Sequence, residues 1–223
     1  AGADISEFGK PPIPPALPEV LARIEECTKP VVVALNGAAL GGGFELALAG
    51  HARVAAPGAT VGLPEIRLGL LPGAGGTQRV PRLIGAAKAF SIMLSGAPVA
   101  AEKAASLGLV DAVAQGDLLD VAVSTALEIA ERGTPRRLSA VAVAADPADR
   151  DAFEAAAREA VAKSPDAPNV AALVEAVRAA LDLPFAEGLA LERARFTALL
   201  RDPRSKAARH LFFAEREAAR VPG

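Results

Sequence analysis

The clearest hydrophobic pattern in the chain is a short apolar run that ends at a cluster of glycines. Residues 31–35 are Val-Val-Val-Ala-Leu, long enough for a buried strand and too short for a helix. Asn36-Gly37 breaks the run and glycines follow at 41–43, before the helix-forming stretch 44–49. The pattern therefore predicts a buried strand that leads, through a glycine-rich turn, into the N-terminus of a helix.

Short apolar runs alternate with helical stretches along the first part of the chain. This alternation is typical of an α/β fold. The predicted strands are 54–56, 60–62 and 109–113, and the predicted helices are 19–27, 77–94 with an interruption near Gly85, 100–107 and 118–132. From residue 151 onward the pattern is almost wholly helical, with prolines between helices at 151–163, 168–182, 186–200 and 204–219. We predict a core of residues 1–135 and a helical region of residues 136–223.

Two carboxylates lie beside glycine-rich turns. Glu45 falls in the first turn of the helix that follows the glycines, where backbone amides have no intrahelical partner and the helix dipole is positive. Glu65 lies in an apolar setting shortly before a second glycine turn at 72–76. A carboxyl in apolar surroundings tends to have a raised pKa, as a proton donor near neutral pH requires. The two acids are therefore candidates for an acid/base pair beside an oxyanion site.

The same two glutamates also have a plain structural interpretation. Glu45 could be an ordinary acidic residue at a helix N-terminus, and Glu65 could be a solvated loop acid. Glycine turns are common, so the residue pattern alone leaves both interpretations open.

Three ordered motifs resemble the crotonase (enoyl-CoA hydratase/isomerase) superfamily. They are residues 41–47, Gly-Gly-Gly-Phe-Glu-Leu-Ala, then 63–66, Leu-Pro-Glu-Ile, and then 71–79, Leu-Pro-Gly-Ala-Gly-Gly-Thr-Gln-Arg. The opening residues 1–5 look like the first CoA-binding loop of that superfamily. The resemblance covers roughly residues 1–114 and implies a spiral of ββα units with a helical C-terminal region.

The helical region resembles a particular group within that superfamily. Residues 183–192 and 210–216 are similar to the linker of bacterial multifunctional β-oxidation proteins, in which a hydratase/isomerase domain precedes a 3-hydroxyacyl-CoA dehydrogenase domain. No GxGxxG motif follows a predicted strand. We therefore expect this chain to be a piece of a longer protein, clipped at both ends, with NAD used only by a dehydrogenase domain outside it.

The resemblance implies a role for each site residue. It implies hydration of a 2-enoyl-CoA to a 3-hydroxyacyl-CoA, with isomerisation of 3-enoyl-CoA as a side activity. The backbone amides of Ala3 and Gly42 would form the oxyanion hole, and Glu45 and Glu65 would hold the attacking water. The remaining positions implied to bind the CoA substrate are Gly2, Asp4, Ile5, Gly41 and Gly73.

Other functions remain open at the level of sequence. The chain could be a non-catalytic module that keeps the fold for docking or assembly. It could also be another crotonase-type acyl-CoA enzyme, such as a decarboxylase or a hydrolase, although these usually alter one of the two glutamates. A serine hydrolase is disfavoured because Ser6, Ser91 and Ser95 do not lie at a glycine elbow with a histidine partner.

Composition and charge limit the partners and the cellular compartment that the sequence predicts. The 223 residues carry a formal net charge of −2, which gives no signal for nucleic acid or a membrane surface. The single Cys27 excludes an internal disulfide and fits a reducing compartment. No apolar run approaches the ~20 residues of a membrane span. We expect a cytoplasmic, bacterial-like protein with no cofactor apart from the CoA of its substrate, and with a thiolase subunit as a possible partner.

Several other residues are predicted to be structural. Cys27 is expected to be a small buried apolar residue, and the two histidines, His51 and His210, are expected at helix ends or on the surface rather than at a metal site. Solvated or helix-paired side chains are favoured for Arg79 and Arg82 over contact with a CoA phosphate. Phe212-Phe213 is expected to pack in a core or a domain interface.

Overall fold

A computed structural model describes residues 2, 4–8, 14–144 and 146–219. The strands and helices alternate up to residue 132, and helices follow from there. In chain order the elements are α1 (Leu17–Glu25), β1 (Val32–Leu35), β2 (Ala38–Leu40), α2 (Gly42–Ala49), β3 (Ala52–Ala55), β4 (Thr60–Gly62), a 3-10 helix (Pro64–Leu68), α3 (Gly76–Ile84), α4 (Ala86–Ser95), β5 (Val99–Ala100), α5 (Ala101–Leu107), β6 (Ala112–Val113), α6 (Leu118–Arg132), α7 (Pro147–Lys163), α8 (Pro168–Asp182), α9 (Phe185–Arg201) and α10 (Pro203–Ala218), with short 3-10 helices at Ile5–Glu7 and Leu138–Ala140.

The strands form two small sheets. In the first sheet β3 lies between β1 and β6, and both pairings are parallel, with Val32 opposite Ala52. In the second sheet β4 pairs in parallel with β2 and antiparallel with β5. All four residues of β3 are buried, as expected for the central strand of a parallel sheet covered on both faces.

The α/β fold class predicted from the sequence is confirmed, and most predicted helices agree with the structure to within a few residues. The predicted strand at 109–113 is shorter, because the amide of Leu109 donates to the carbonyl of Ala104 and so completes the end of α5. Strand β2 was not predicted, since three residues between Asn36-Gly37 and the glycines are too few to show a period.

The C-terminal helices share one hydrophobic core with the first part of the chain. Helix α7 packs on α4, and α8 packs on both α3 and α4. The rings of Phe90 on α4 and Phe153 on α7 meet edge to face with their centroids 5.4 Å apart, and both side chains are fully buried. The separation into units at residues 1–135 and 136–223 stays a prediction, and the packing supplies a way to test it.

We expect Phe153→Ala to lower the free energy of unfolding by about 3–5 kcal/mol, because it removes a fully buried ring from this shared core. Denaturant unfolding followed by circular dichroism measures the change. The shared core predicts a single cooperative transition that moves as a whole. A separate early transition of the helical region, with the remainder unchanged, would show instead that residues 136–223 unfold as an independent unit.

Candidate active site

The site begins where β2 ends and α2 starts. Gly41 lies between them with φ of 55°, a left-handed conformation that favours glycine, and its amide donates to the carbonyl of Gly62 (2.9 Å). A Cβ on Gly41 would also lie 2.9 Å from Oε1 of Glu65. Gly42 is the first residue of α2, where the backbone amide has no intrahelical partner. The glycines therefore bring a helix N-terminus directly against a carboxyl group.

Glu45, in the first turn of α2, is held by the second glycine turn. Its Oε1 accepts hydrogen bonds from the amides of Ala74 (2.7 Å) and Gly76 (2.9 Å), and the residue is only 3% exposed. Burial raises the pKa of Glu45, while the two amides and the positive charges of Arg79 and Arg193 act in the opposite direction. The carboxyl is thus buried and fixed in orientation, and these donors favour its anionic form.

Glu65 lies in a different environment, on the 3-10 helix that follows β4. It is buried, and among the described residues its Oε2 has no hydrogen-bond partner. Burial raises the pKa of Glu65 well above its ordinary value, and the nearby charges of Glu45 and Glu192 raise it further. The raised pKa that the sequence predicts is confirmed, and the interpretation of Glu65 as a solvated loop acid is wrong.

A pocket of about 860 Å³ opens onto these groups. Gly41, Gly42 and Glu65 line one part of it, together with Gly2 and Ile5 from the opening loop. The arrangement places a carboxyl with a raised pKa and a helix N-terminus in one pocket. Such a pair can stabilise an oxyanion while a proton moves to or from a neighbouring carbon.

Helix α10 supplies another wall of the pocket. Leu211, Phe212 and Arg216 line it, and the guanidinium of Arg216 lies 5.0 Å from the ring centroid of Phe212. The sequence interpretation of Phe212 as packing alone is incomplete, because the side chain both contacts the core and faces the pocket. Sequence reasoning missed this wall because α10 lies far along the chain from the glycine motifs.

The other predicted site residues lie at differing distances from this pocket. Ala3 lies outside the described residues. The carboxylate of Asp4 accepts a hydrogen bond from the amide of Ser6 (2.9 Å) and so caps the first 3-10 helix. Gly73 is buried beneath α9, where a Cβ would lie 2.5 Å from Cγ of Phe196. The structure thus brings Gly2, Ile5, Gly41, Gly42 and Glu65 together in the pocket lining. Glu45 is near enough for its charge to act on Glu65 but, like Asp4 and Gly73, does not line the pocket.

A third buried carboxyl was missed by the sequence reasoning. Glu192 on α9 is 0% exposed and accepts hydrogen bonds from the amides of Gly75 and Thr77 and from the hydroxyl of Thr77. Burial raises its pKa to about 8, and the charge of Glu45 acts in the same direction. In the sequence Glu192 is one of two acidic residues on an amphipathic helix, and nothing in the pattern separates it from the exposed Glu187.

The two arginines near the second glycine turn are structural. Arg79 is 3% exposed and pairs with Glu25 at 2.7 Å. Arg82 donates to the carbonyls of Gln78 (2.7 Å) and Val141 (2.9 Å). The expectation was of solvated or helix-paired side chains rather than contact with a CoA phosphate, and the structure shows the helix-paired alternative, with both side chains buried.

The histidines and the cysteine carry no site in the described part of the chain. His51 directly follows the end of α2, one of the two placements expected, although it is buried there, and its Nδ1 accepts a hydrogen bond from the amide of Val31 (2.9 Å). His210 is exposed as predicted, and Cys27 is half-buried rather than buried. Within residues 2, 4–8, 14–144 and 146–219, no group of three or more His, Cys, Asp or Glu side chains could hold a metal ion. None of the helices described there is long and apolar enough to cross a membrane.

The raised pKa of Glu65 predicts a pH-dependent stability. Its pKa in the folded protein exceeds its ordinary value of 4.5, so the native state binds this proton more tightly than the unfolded chain. The resulting stabilisation is complete below about pH 4.5 and is lost as the pH rises towards the native pKa. We expect Glu65→Gln to raise the melting temperature relative to wild type more at about pH 8 than at about pH 5. An equal difference at both pH values would contradict the buried, protonated state of Glu65.

Curated proteins similar to this chain are multifunctional enzymes of fatty-acid oxidation. The chain is 43% identical over 218 residues to the peroxisomal bifunctional enzyme of Danio rerio, which covers 97% of this chain and 30% of that protein. It is 40% identical over 211 residues to the fatty acid oxidation complex subunit alpha of Shewanella amazonensis, covering 92% of this chain and 30% of that subunit. The chain therefore spans about a third of the length of the curated relatives it matches.

Solved structures of similar proteins share the fold. An enoyl-CoA hydratase/isomerase from Pseudoalteromonas atlantica is 26% identical, with a TM-score of 0.62 over 100% of this chain and 75% of its own. OdaA from Pseudomonas aeruginosa is also 26% identical, with a TM-score of 0.61 over 95% of this chain and 74% of its own. The family model described as enoyl-CoA hydratase/isomerase matches residues 2–145, more than half of the chain. On this evidence the chain belongs to the enoyl-CoA hydratase/isomerase family, as the sequence motifs predict.

Proposed function

We propose that this chain adds water across the double bond of a 2-enoyl-CoA to give a 3-hydroxyacyl-CoA. The observation that carries the proposal is the contrast between two buried carboxyls beside one helix N-terminus. Glu45 accepts hydrogen bonds from two backbone amides. Glu65 instead has an oxygen with no hydrogen-bond partner among the described residues and a pKa raised well above its ordinary value. Neighbouring acids with different environments can take the roles of base and acid in one reaction.

The reaction requires a site for negative charge on the thioester oxygen. As water adds to C3, the electron pair of the double bond moves towards the thioester and an enolate oxygen develops. In our proposal the amide of Gly42, at the N-terminus of α2, donates to this oxygen together with the amide of Ala3, whose role rests on the family resemblance. Loss of one such donor typically lowers kcat by about 10²–10³-fold.

Each glutamate would then handle one proton. Glu45 takes a proton from the attacking water as the C–O bond forms at C3. Glu65 gives its proton to C2 as the enolate collapses to the saturated thioester. The two carboxyls return to their starting states when the proton is passed back from Glu45 to Glu65 through solvent. Each positioned acid or base contributes roughly 10²–10⁴-fold to the rate.

The pocket suits an acyl thioester. Phe212 and Leu211 give it an apolar wall for the acyl chain, and Gly2, Ile5 and Gly41 bring backbone close to the reacting end. The family resemblance also assigns CoA binding to Asp4 and Gly73, but neither lines this pocket. Isomerisation of a 3-enoyl-CoA to a 2-enoyl-CoA is a side activity that needs only Glu65, because it moves a proton between carbons and consumes no water.

The relatives suggest a wider setting for this activity. The names of three of these relatives describe a bifunctional enzyme, a multifunctional β-oxidation protein and a subunit of a fatty acid oxidation complex. The chain matches about a third of the length of each. We infer that the chain acts beside a 3-hydroxyacyl-CoA dehydrogenase domain that uses NAD, and that a thiolase subunit is a further partner. The cytoplasmic location stays a prediction, because the relatives include peroxisomal, glyoxysomal and bacterial proteins.

Incubating the protein with short and long 2-enoyl-CoA substrates, and following loss of the conjugated thioester absorbance, tests the proposal. We expect turnover with at least one of them, and a slower appearance of the same chromophore from a 3-enoyl-CoA. A folded protein that turns over none of these substrates would favour the non-catalytic docking module. Release of free CoA without hydration would favour a hydrolase, and release of carbon dioxide from a separate acyl-CoA that carries a free carboxylate would favour a decarboxylase.

A further inference from the structure

Glu192 and Glu45 hold the same glycine turn through alternating amides. The amides of Ala74 and Gly76 donate to Glu45, and those of Gly75 and Thr77 donate to Glu192. The two carboxyls therefore bind four consecutive amides of one short segment. One carboxyl comes from α2 and the other from α9, 147 positions later in the chain.

Other residues of α9 pack against the same glycine turn and the start of α3. Phe196 covers Gly73 so closely that a Cβ there would lie 2.5 Å from its ring, and a Cβ on Gly188 would lie 2.1 Å from Oε1 of Gln78. The shortest bonds to Glu192 are from the Gly75 amide and the Thr77 hydroxyl, each at 2.6 Å. Helix α9 thus holds the turn through a buried carboxyl and close backbone packing.

We propose that Glu192 is a positioning residue for the hydration reaction, because it fixes the turn whose other amides orient Glu45. This inference rests on the proposed function. An acyl-CoA in the pocket has no contact with Glu192 in this proposal, because Glu192 is fully buried and does not line the pocket. Its effect reaches the substrate through Glu45 and Glu65.

The need for a carboxyl, rather than an amide, follows from the donors around it. Glu192 receives two backbone N–H groups and one hydroxyl, so both of its oxygens accept hydrogen bonds. A glutamine would turn an N–H₂ group towards one of these donors and leave that amide without an acceptor, which is costly in a buried site. The charged and titratable groups that surround the turn are Glu45, Glu65, Arg79 and Arg193.

Glu192→Gln tests the positioning role. We expect kcat to fall about 10- to 100-fold with KM nearly unchanged, because the disturbed turn misplaces Glu45 without altering the pocket wall. Glu192→Asp should recover part of kcat, because it keeps both acceptor oxygens. The control is Glu187→Gln, an exposed position on the same helix that should change nothing. A folded Glu192→Gln variant with wild-type kcat, or with a change in KM alone, would overturn the proposal.

The pH profile supplies a readout that a purely structural residue would not move. Above its pKa of about 8 Glu192 is anionic and its charge raises the pKa of Glu65, so removing it should shift the basic limb of the kcat profile to lower pH. If Glu192→Gln does not fold, Thr77→Val decides the matter. It removes the hydroxyl donor to Glu192, keeps the backbone amides, and should lower kcat about fivefold. Wild-type kcat in a folded Thr77→Val variant would then overturn the proposal.

A titration of the glutamate carboxyls by carbon NMR separates this inference from the proposed function. The Glu65 signal, identified by its loss in Glu65→Gln, should titrate at lower pH in Glu192→Gln than in wild type. Wild type without hydratase turnover, but with this shift, would refute the proposed function and leave the coupling of Glu192 to Glu65 intact. Wild type with turnover, but with neither a kcat change nor a shift in the variant, would refute the role of Glu192 alone.

Discussion

Glu65→Gln is expected to lower kcat for hydration of a 2-enoyl-CoA by roughly 10²–10⁴-fold, the range for loss of a positioned proton donor. Glu65 is buried, its Oε2 has no partner among the described residues, and burial raises its pKa well above the ordinary value, which favours the protonated form. A glutamine occupies the same space but cannot deliver the proton to C2. Steady-state kinetics by thioester absorbance measures the loss, and circular dichroism shows that the fold is retained.

The matched control for this variant is Glu102→Gln on α5, an exposed acid remote in sequence from the glycine motifs. It carries the same change of charge and should keep wild-type kcat. Glu65→Gln should also abolish isomerisation of a 3-enoyl-CoA, since the same carboxyl moves the proton in both reactions. Hydration and isomerisation that both continue at wild-type rates in Glu65→Gln would remove Glu65 from the mechanism.

Glu45→Gln is expected to lower kcat for hydration by a similar factor, roughly 10²–10⁴-fold, through loss of the base. This variant separates proton transfer from positioning, because the Oε1 of a glutamine can still accept hydrogen bonds from the amides of Ala74 and Gly76. The turn and the pocket should therefore persist while the ability to take a proton from water is lost. Steady-state kinetics at saturating 2-enoyl-CoA measures kcat directly.

Isomerisation distinguishes the two glutamates. Because no water is consumed in moving the double bond, Glu45→Gln should retain much more of the 3-enoyl-CoA isomerase rate than of the hydratase rate. The ratio of the two rates in Glu45→Gln, compared with wild type and with Glu102→Gln, gives the result independently of protein concentration. An unchanged ratio would mean that Glu45 does not act on the water.

The local pattern was enough to predict strand β1, the glycine turn and the helix that carries Glu45. It did not predict β2, the strand that leads into the turn, and β1 is only partly buried rather than buried. It also predicted the apolar setting of Glu65, because that setting is made by residues adjacent in sequence. Pattern alone could not show that the two acids share one site. The family resemblance supplied that expectation, and the structure then brought both acids to one helix N-terminus.

The long-range parts of the site were beyond sequence reasoning. Glu192 and Phe212 lie on amphipathic helices whose periodicity shows that they have a buried face but not what that face contacts. The buried ion pair of Arg79 with Glu25 could not be predicted either, because it joins residues 54 positions apart. Contacts of this kind depend on how helices pack, which a single sequence does not specify.

The most direct test of the central claim is to incubate the protein with a 2-enoyl-CoA in oxygen-labelled water and identify the product by mass spectrometry. Wild type should give a 3-hydroxyacyl-CoA with one labelled oxygen at C3, and Glu45→Gln and Glu65→Gln should give almost none. Labelled oxygen in a released free acid, or no labelled product from a folded wild-type protein, would contradict the hydratase mechanism.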